Sequence, residues 1–412
     1  MDCVSPLTPG EASLDSRALT GGCLLPLSSY DGGSPAPTQT VTRLDVMLKA
    51  GIVGLPNVGK SSLFNALTAQ GAPAENYPFC TVEPNVGIVK VPDIRLDRIF
   101  ELVQVPARIP AVIQFVDIAG LVAGAAEGEG LGNKFLGNIR EVDAVVHVLR
   151  CFDDPDVTHV FGSVDPARDR EVVNAELGLA DLEAVESMLE RNERKARSGE
   201  KEVRRKVVLL GWLQASLSRG VPVRRLEFSA EERALLKSFQ LLSSKAVLYI
   251  ANVEEGALPE GENEWTHRLR EILEEEEPDA GIVTVCSEVE AELAELDPEE
   301  RSEFLEEIGL EDTSLSRVVH ATYDLLGLVT FYTEGESEAR AWTVRRGALA
   351  AEAAGLIHSD FERGFIRAET IAYCEFEEAG SLKAARESGL VRSEGKDYEV
   401  QDGDVILFRF NV

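Results

Sequence analysis

From Met47 onward the chain alternates short apolar runs with longer polar stretches. AGIVGL, AVIQFVDI, DAVVHVLRCF, KAVLYIAN and GIVTVCS are rich in Val and Ile and too short for core helices, so they read as buried strands. The segments between them have helix-compatible spacing. Strands that are apolar on both faces and alternate with helices occur where a mostly parallel sheet is covered on both sides, so the pattern predicts a doubly wound α/β domain. From Asn174 to Leu236 the text becomes charged with helical spacing, including ELGLADLEAVESMLERNERKARSGEKEVRRKVVLLGWLQASL, which suits two antiparallel helices forming an arm. Short strand-like runs return from Leu326, and Asp402-Gly403-Asp404 reads as a tight turn between the last two strands of a small α+β domain. The expected organisation is therefore an α/β domain over 47–173 and 237–325, a helical insertion over 174–236, and a small domain over 326–412.

Composition sharpens this outline. A chain of 412 residues is long enough for two or three domains, each with its own core. Residues 1–46 are rich in Ser, Thr, Pro and Gly and lack periodicity. Asp2, Glu11, Asp15, Asp31 and Asp45, with few arginines, argue against a transit peptide, so this leader reads as a disordered tail or as sequence upstream of a true start at Met47. No apolar run approaches the roughly 20 residues of a membrane span. The net charge of −31 disfavours indiscriminate binding to phosphate backbones, which argues against a DNA-binding protein. RNA contact would need a local patch, and RNERKARSGEKEVRRK at the turn of the arm is the one strongly basic island. It reads either as a solvated helix end or as an RNA contact. The six cysteines show neither paired nor metal-ligand spacing, which fits a reducing cytosol and a cytoplasmic protein; Cys80 and Cys151 lie near segments that could switch.

The chemistry concentrates at GLPNVGKS, residues 54–61. It matches G-x-x-x-x-G-K-[ST] directly after a predicted strand and before the helical SSLFNALTA, the context that turns the match into a P-loop. Glycines let backbone N–H groups approach phosphate oxygens, and the helix N-terminus adds a positive dipole. Asn57, Val58, Gly59, Lys60, Ser61 and Ser62 are thus the expected phosphate cradle, with Lys60 on the β and γ phosphates and the Ser61 hydroxyl on Mg²⁺. VDIAG supplies Asp117 for the metal shell and Gly120 to sense the γ-phosphate. The glycine-rich stretch after it has the flexibility of a switch. NYPFCTVEPN lies where a first switch belongs, with Thr81 as a further candidate metal ligand.

Taken with YPFCTVEPNVG, FVDIAGLV, GEGLGNKFL, HVLRCF, AWTVRRG, IHSDFERGFIRAETI and EGKDYEVQDGDVILF, these motifs resemble the Obg-like ATPase (YchF) family of translation-factor-class P-loop proteins over nearly all of Met47 to Val412. The resemblance implies a GTPase-type domain, a coiled-coil insertion, a C-terminal TGS domain, ATP hydrolysis and a ribosomal partner. Residues 1–46 match nothing in the family.

YIANVEEG, residues 249–256, stands where an N-K-x-D base loop belongs, with Val253 for the lysine and Glu255 for the aspartate. Guanine needs a carboxylate accepting from N1–H and the 2-amino group, whereas adenine presents an acceptor at N1 and a donor at N6. The Asn252 amide can meet adenine as donor and acceptor, so strict guanine selection is lost. The resemblance adds that N-x-x-E accompanies ATP, with Asn252, Val253 and Glu255 forming the base site; GTP use with Glu255 standing in for aspartate is the alternative. Leu121 occupies the position after D-x-x-G where many GTPases carry a water-orienting glutamine, so intrinsic hydrolysis should be slow. His159 matches a family histidine proposed to approach the γ-phosphate, while His147 lies in an apolar strand and reads as core. Asn57 matches an asparagine that holds K⁺ in potassium-activated relatives, or it stabilises the turn of the loop. The expected activity is a slow Mg²⁺-dependent ATPase switch. The alternatives are a GTPase of the same architecture and a nucleotide-gated regulator in which hydrolysis is secondary.

Overall fold

A computed structural model describes residues 48–69, 85–118, 131–196, 200–310 and 312–411. The leader, Cys80, Thr81, Gly120, Leu121 and Arg197 lie outside the described residues. In chain order the first part comprises β1 (Lys49–Val53), α1 (Lys60–Ala69), β2 (Val86–Lys90), α2 (Ile94–Val103), β3 (Ala107–Ile109), β4 (Val112–Asp117), α3 (Leu131–Glu141) and β5 (Ala144–Cys151). The arm region holds α4 (Pro166–Ala196), α5 (Lys201–Leu217) and α6 (Ala230–Lys237). The chain then returns through β6 (Ala246–Val253), α7 (Glu264–Glu276), β7 (Gly281–Val285), α8 (Ser287–Glu295), α9 (Pro298–Glu307) and α10 (Ser314–Leu325).

Six of these strands form one sheet in the order β2-β4-β1-β5-β6-β7. Every adjacent pair is parallel except β2 with β4. β5 is buried along its whole length and β6 at all but its first residue, which is why both read as unbroken apolar runs rather than as alternation. Because β1, β5, β6 and β7 run the same way, their C-terminal ends share one edge. From it emerge the P-loop, the segment after Cys151, the base loop and the Cys286-Ser287 turn. β1 lies between β4 and β5, so the P-loop leaves the sheet where the chain turns to opposite sides, the usual place for a ligand crevice.

The helix that the charged pattern places from Asn174 begins earlier, at Pro166. Proline suits a first helical turn, and Asp165 Oδ1 accepts from Arg168 N–H at 3.2 Å. Val173, Leu177 and Ala180 of its proximal half belong to the main core, so this part lacks the polar signature of an arm. Farther out, Val185 joins Leu209, Leu210, Leu213 and Leu217 in a separate core. Buried Asp181 fixes the root of the arm by accepting from Leu242 N–H (2.8 Å), Ser243 N–H (2.7 Å) and the Ser243 hydroxyl (2.6 Å). Around the tip, much of the basic island is matched locally: Arg194 pairs with Glu190, Lys206 with Glu202 at 3.0 Å, and Arg205 with Glu231 at 3.0 Å.

The last part contains β8 (Leu328–Glu334), β9 (Glu338–Arg345), α11 (Ala350–Ile357), α12 (Ser359–Arg363), β10 (Phe365–Ala372), α13 (Tyr373–Ala379), α14 (Leu382–Glu387), β11 (Arg392–Glu394) and β12 (Asp404–Phe410). The second sheet has the order β11-β10-β12-β8-β9-β3, so its sixth strand comes from the first part of the chain. Ala107, Arg108 and Ile109 pair in parallel with Glu338, Ala339 and Arg340. This corrects the expectation that all of 47–173 serves the α/β domain. A three-residue strand carries no readable periodicity, and its placement follows from the open edge of β9, whose backbone groups need partners. Next to it, α2 locks the same junction: Arg95 bonds Asp93 at 3.0 Å and Asp402 at 2.7 Å, Arg98 bonds Glu377 at 3.2 Å, and the Tyr332 hydroxyl donates to Asp93.

Candidate nucleotide-binding site

Gly59 has φ +96°, a conformation natural only to glycine, and a Cβ there would overlap the Asn252 amide nitrogen. Asn57 is left-handed at φ 62°, which asparagine tolerates better than most residues. Its Nδ2 donates to the Thr158 carbonyl at 3.1 Å, so the exposed crown of the loop leans on the segment after β5. Val58 is buried, whereas Ser61 and Ser62 at the start of α1 are exposed. Lys60 folds back into the loop and donates to the Leu55 carbonyl at 2.6 Å. Burial lowers its pKa to about 8, and the nearby Asp117 carboxylate opposes that shift.

Asp117, the last residue of β4, lies beside the Ser61 hydroxyl. Burial raises its pKa, while Lys60 and Ser61 pull it down. Its Oδ1 is buried and has no hydrogen-bond partner among the described residues. An orphaned carboxylate oxygen beside a hydroxyl at the head of the P-loop helix is a donor set suited to a hard divalent cation. Ser61 and Asp117 therefore come together as expected; Thr81 and Gly120 lie outside the described residues.

The base loop departs from expectation. Asn252 is buried at 3% exposure, with Nδ2 donating to the Val58 carbonyl at 3.0 Å and Oδ1 accepting from Ser287 N–H and the Ser287 hydroxyl, each at 2.9 Å. Its acceptor is filled and one donor is spent inside the protein, so the amide clamps the P-loop to the turn after β7 instead of offering a donor and acceptor pair to adenine. Val253 closes β6 and is buried; Glu255 opens a short 3₁₀ turn and is exposed. Ser287 was not legible as a site residue because its link to Asn252 spans two strands; the small polar residue just past the β7 run is the only hint in the text.

The structure also revises His159. The ring is buried, Nε2 lies 2.8 Å from Asp169 Oδ2, and Nδ1 accepts from Phe161 N–H at 3.1 Å. With Nδ1 accepting, Nε2–H donates to the carboxylate, so both nitrogens are committed and neither is open to orient water. His147 is core: burial drives its pKa to about 3, and its ring lies beside Tyr249. Cys151 is fully buried, and burial raises its thiol to about 12, which removes it as a redox-sensitive thiolate.

A strand, a glycine loop that closes on its own lysine, and a helix headed by a hydroxyl beside a strand-end carboxylate define a P-loop NTPase. The family model described as "50S ribosome-binding GTPase" matches residues 49–195, and the YchF-GTPase_C model, described as "Protein of unknown function (DUF933)", matches residues 328–411. The chain belongs to the YchF family. It is 52% identical over 367 residues to the "Ribosome-binding ATPase YchF" of Bacillus subtilis, covering 89% of this chain and 100% of that one. It is 40% identical over 392 residues to "Obg-like ATPase 1" of Rattus norvegicus, covering 94% and 98%. The solved structure of the Schizosaccharomyces pombe YchF GTPase matches with a TM-score of 0.80 at 35% identity, covering 88% of this chain and 97% of that one.

Proposed function

We propose that this chain is a slow, Mg²⁺-dependent ATPase that acts as a nucleotide-controlled switch and binds the ribosome. The observation that carries the reading is the pairing of an intact phosphate site with a base loop that lacks the means to select guanine. Val253 cannot lay an aliphatic stem over the base, Glu255 carries its carboxylate one methylene beyond the usual aspartate, and Asn252 is occupied as a clamp. The names of the bacterial relatives, ribosome-binding ATPases at about 50% identity, support the same reading. Base recognition then falls to the backbone of Val253 to Glu255 and the facing turn at Cys286 and Ser287.

In this reading Gly59 and its neighbours offer amides to the phosphates, and Lys60 exchanges the Leu55 carbonyl for an anionic partner that favours its charged form. Ser61 would ligate the metal and Asp117 would support it indirectly or through water, with Thr81 as a further ligand. Bound Mg²⁺ would neutralise charge on the β and γ phosphates. Asn57 spends its Nδ2 on Thr158, which leaves Oδ1 as a ligand atom for K⁺. Hydrolysis should be slow because Leu121 cannot orient water and His159 is bound into the fold. The arm and the small C-terminal domain, read as a TGS domain, are the surfaces for ribosomal RNA and protein.

Calorimetric titration with ATP and GTP in the presence of Mg²⁺ tests the proposal. We expect ATP to bind at least about tenfold more tightly, a difference of about 1.4 kcal/mol. Tighter GTP binding would replace it with the GTPase reading.

A further inference from the structure

Arg150 is one of the largest fully buried side chains, at 1% exposure, and it takes no part in the site described above. Three hydrogen bonds tie it to main-chain carbonyls of one short segment: Nε to Phe152 at 3.1 Å, Nη1 to Val157 at 2.8 Å and Nη2 to Asp154 at 3.2 Å. The guanidinium also lies over the Phe152 ring, 4.5 Å from its centroid. A buried cation held by carbonyls, with no carboxylate among these partners, is costly to desolvate, so the arrangement calls for a role beyond filling space. Only a planar fork with five N–H donors can gather three carbonyls that diverge along a curled loop; a lysine ammonium cannot span them in the same geometry.

The last residue of this loop gives the arrangement its meaning. Thr158 presents its carbonyl to Asn57, the left-handed residue at the crown of the P-loop. On the far side, His159 is tied to Asp169 at the start of α4. Within the sheet, Arg150 pairs in register with Asn252, the residue that clamps the other flank of the P-loop through Val58. The P-loop is thus held from two sides: by Asn252 directly, and by Arg150 through the curled loop.

We infer that Arg150 is a positioning residue of the nucleotide site, fixing the 152–158 loop so that Thr158 braces Asn57 and holds the P-loop in its phosphate-ready shape. The inference rests on the nucleotide reading given above, but its test has a readout that needs no nucleotide. Arg150→Lys should speed amide hydrogen exchange in the P-loop peptide 54–60 of the ligand-free chain. It should also weaken ATP binding about tenfold in fluorescent-nucleotide displacement. Asn57→Ala should do both, and the double variant should be no worse than the more affected single variant, because both break one brace. A merely structural arginine would lower the melting temperature without this coupling. Additive effects of the two substitutions, or unchanged P-loop exchange in a folded Arg150→Lys chain, would overturn the inference. If Arg150→Lys does not fold, Asp169→Asn releases the far anchor of the same loop, and the same non-additivity with Asn57→Ala is expected; additivity there overturns it as well. A wild-type chain that binds no ATP would sink the nucleotide reading, and the exchange experiment would still decide the brace.

Discussion

Asn252 and Glu255 sit three positions apart on one loop and face different fates. Replacing Asn252 by Ala removes a donor to Val58 and leaves the buried Ser287 N–H without its acceptor. We expect a loss of about 1–3 kcal/mol in stability and a drop in ATP affinity. Glu255→Ala, at an exposed position, should stay within about 0.5 kcal/mol. Urea unfolding and nucleotide titration of both variants check this, and equal effects would remove Asn252 from its clamping role. His159→Gln should likewise lower stability along with activity; a fall in kcat at unchanged melting temperature would restore a direct part in hydrolysis. What was legible at this scale was local. The P-loop, Asp117 and the position of the base loop follow from residue types at fixed spacing next to a predicted strand. The Asn252 to Ser287 link and the His159 to Asp169 pair depend on which strands and helices become neighbours, so the base-loop motif assigned Asn252 to the ligand, and the family resemblance His159, when the fold claims them.

At the level of elements, the arm is a helical pair with its own small core and a tip where eight basic residues between 190 and 206 are interleaved with four acidic ones. The local pairs of Arg194, Arg205 and Lys206 dilute the island without erasing its sign. Screening over a Debye length of about 8 Å lets such a tip act apart from the acidic body. Changing Lys195, Arg197 and Lys201 together to Glu should reduce ribosome cosedimentation, most at low salt, while leaving the ATPase rate of the free chain unchanged. Undiminished binding would shift the contact to the C-terminal domain. In that domain Glu369 joins two strands and a helix by accepting from Arg409 (3.0 Å), Arg386 (2.7 Å) and Arg367 (3.0 Å). These bonds, that from Arg409 first, hold its pKa down to about 2 against the opposing effect of burial. A depressed carboxylate adds stability that is present above its unfolded pKa and lost as pH falls toward the folded value. Glu369→Gln should therefore cost about 1 kcal/mol near neutrality, modest because solvent screens the arginines, and the gap to wild type should close between about pH 4.5 and pH 2 in acid titrations of unfolding.

Over the whole molecule, one hydrophobic core runs from the parallel sheet into the second sheet, where it takes in Leu328, Tyr332, Ala341, Ile371 and Val405. Together with the β3 pairing and the Arg95 bridge, this predicts that residues 47–412 unfold in a single calorimetric transition. Arg95→Ala should cost about 1–3 kcal/mol, and two resolved transitions in the wild type would count against the shared core. The sequence pattern set most of the two sheets apart as regions of different texture, buried apolar runs between long helical segments in the first and shorter runs between turn signals in the second. The joint between them was not legible: it is made by three residues and by side chains far apart in the chain.

That joint also sets a clock. β3 leaves a synthesising ribosome well before β9, its only strand neighbour among the described residues, which begins at Glu338. At about 5–20 residues per second the wait is roughly 10–50 s, far longer than a small domain needs to fold. For that interval the nascent chain carries an unpaired edge. Its shortness, three residues beside the charged Asp97 and Arg108 pair, is what keeps that edge from finding another chain before its own partner arrives.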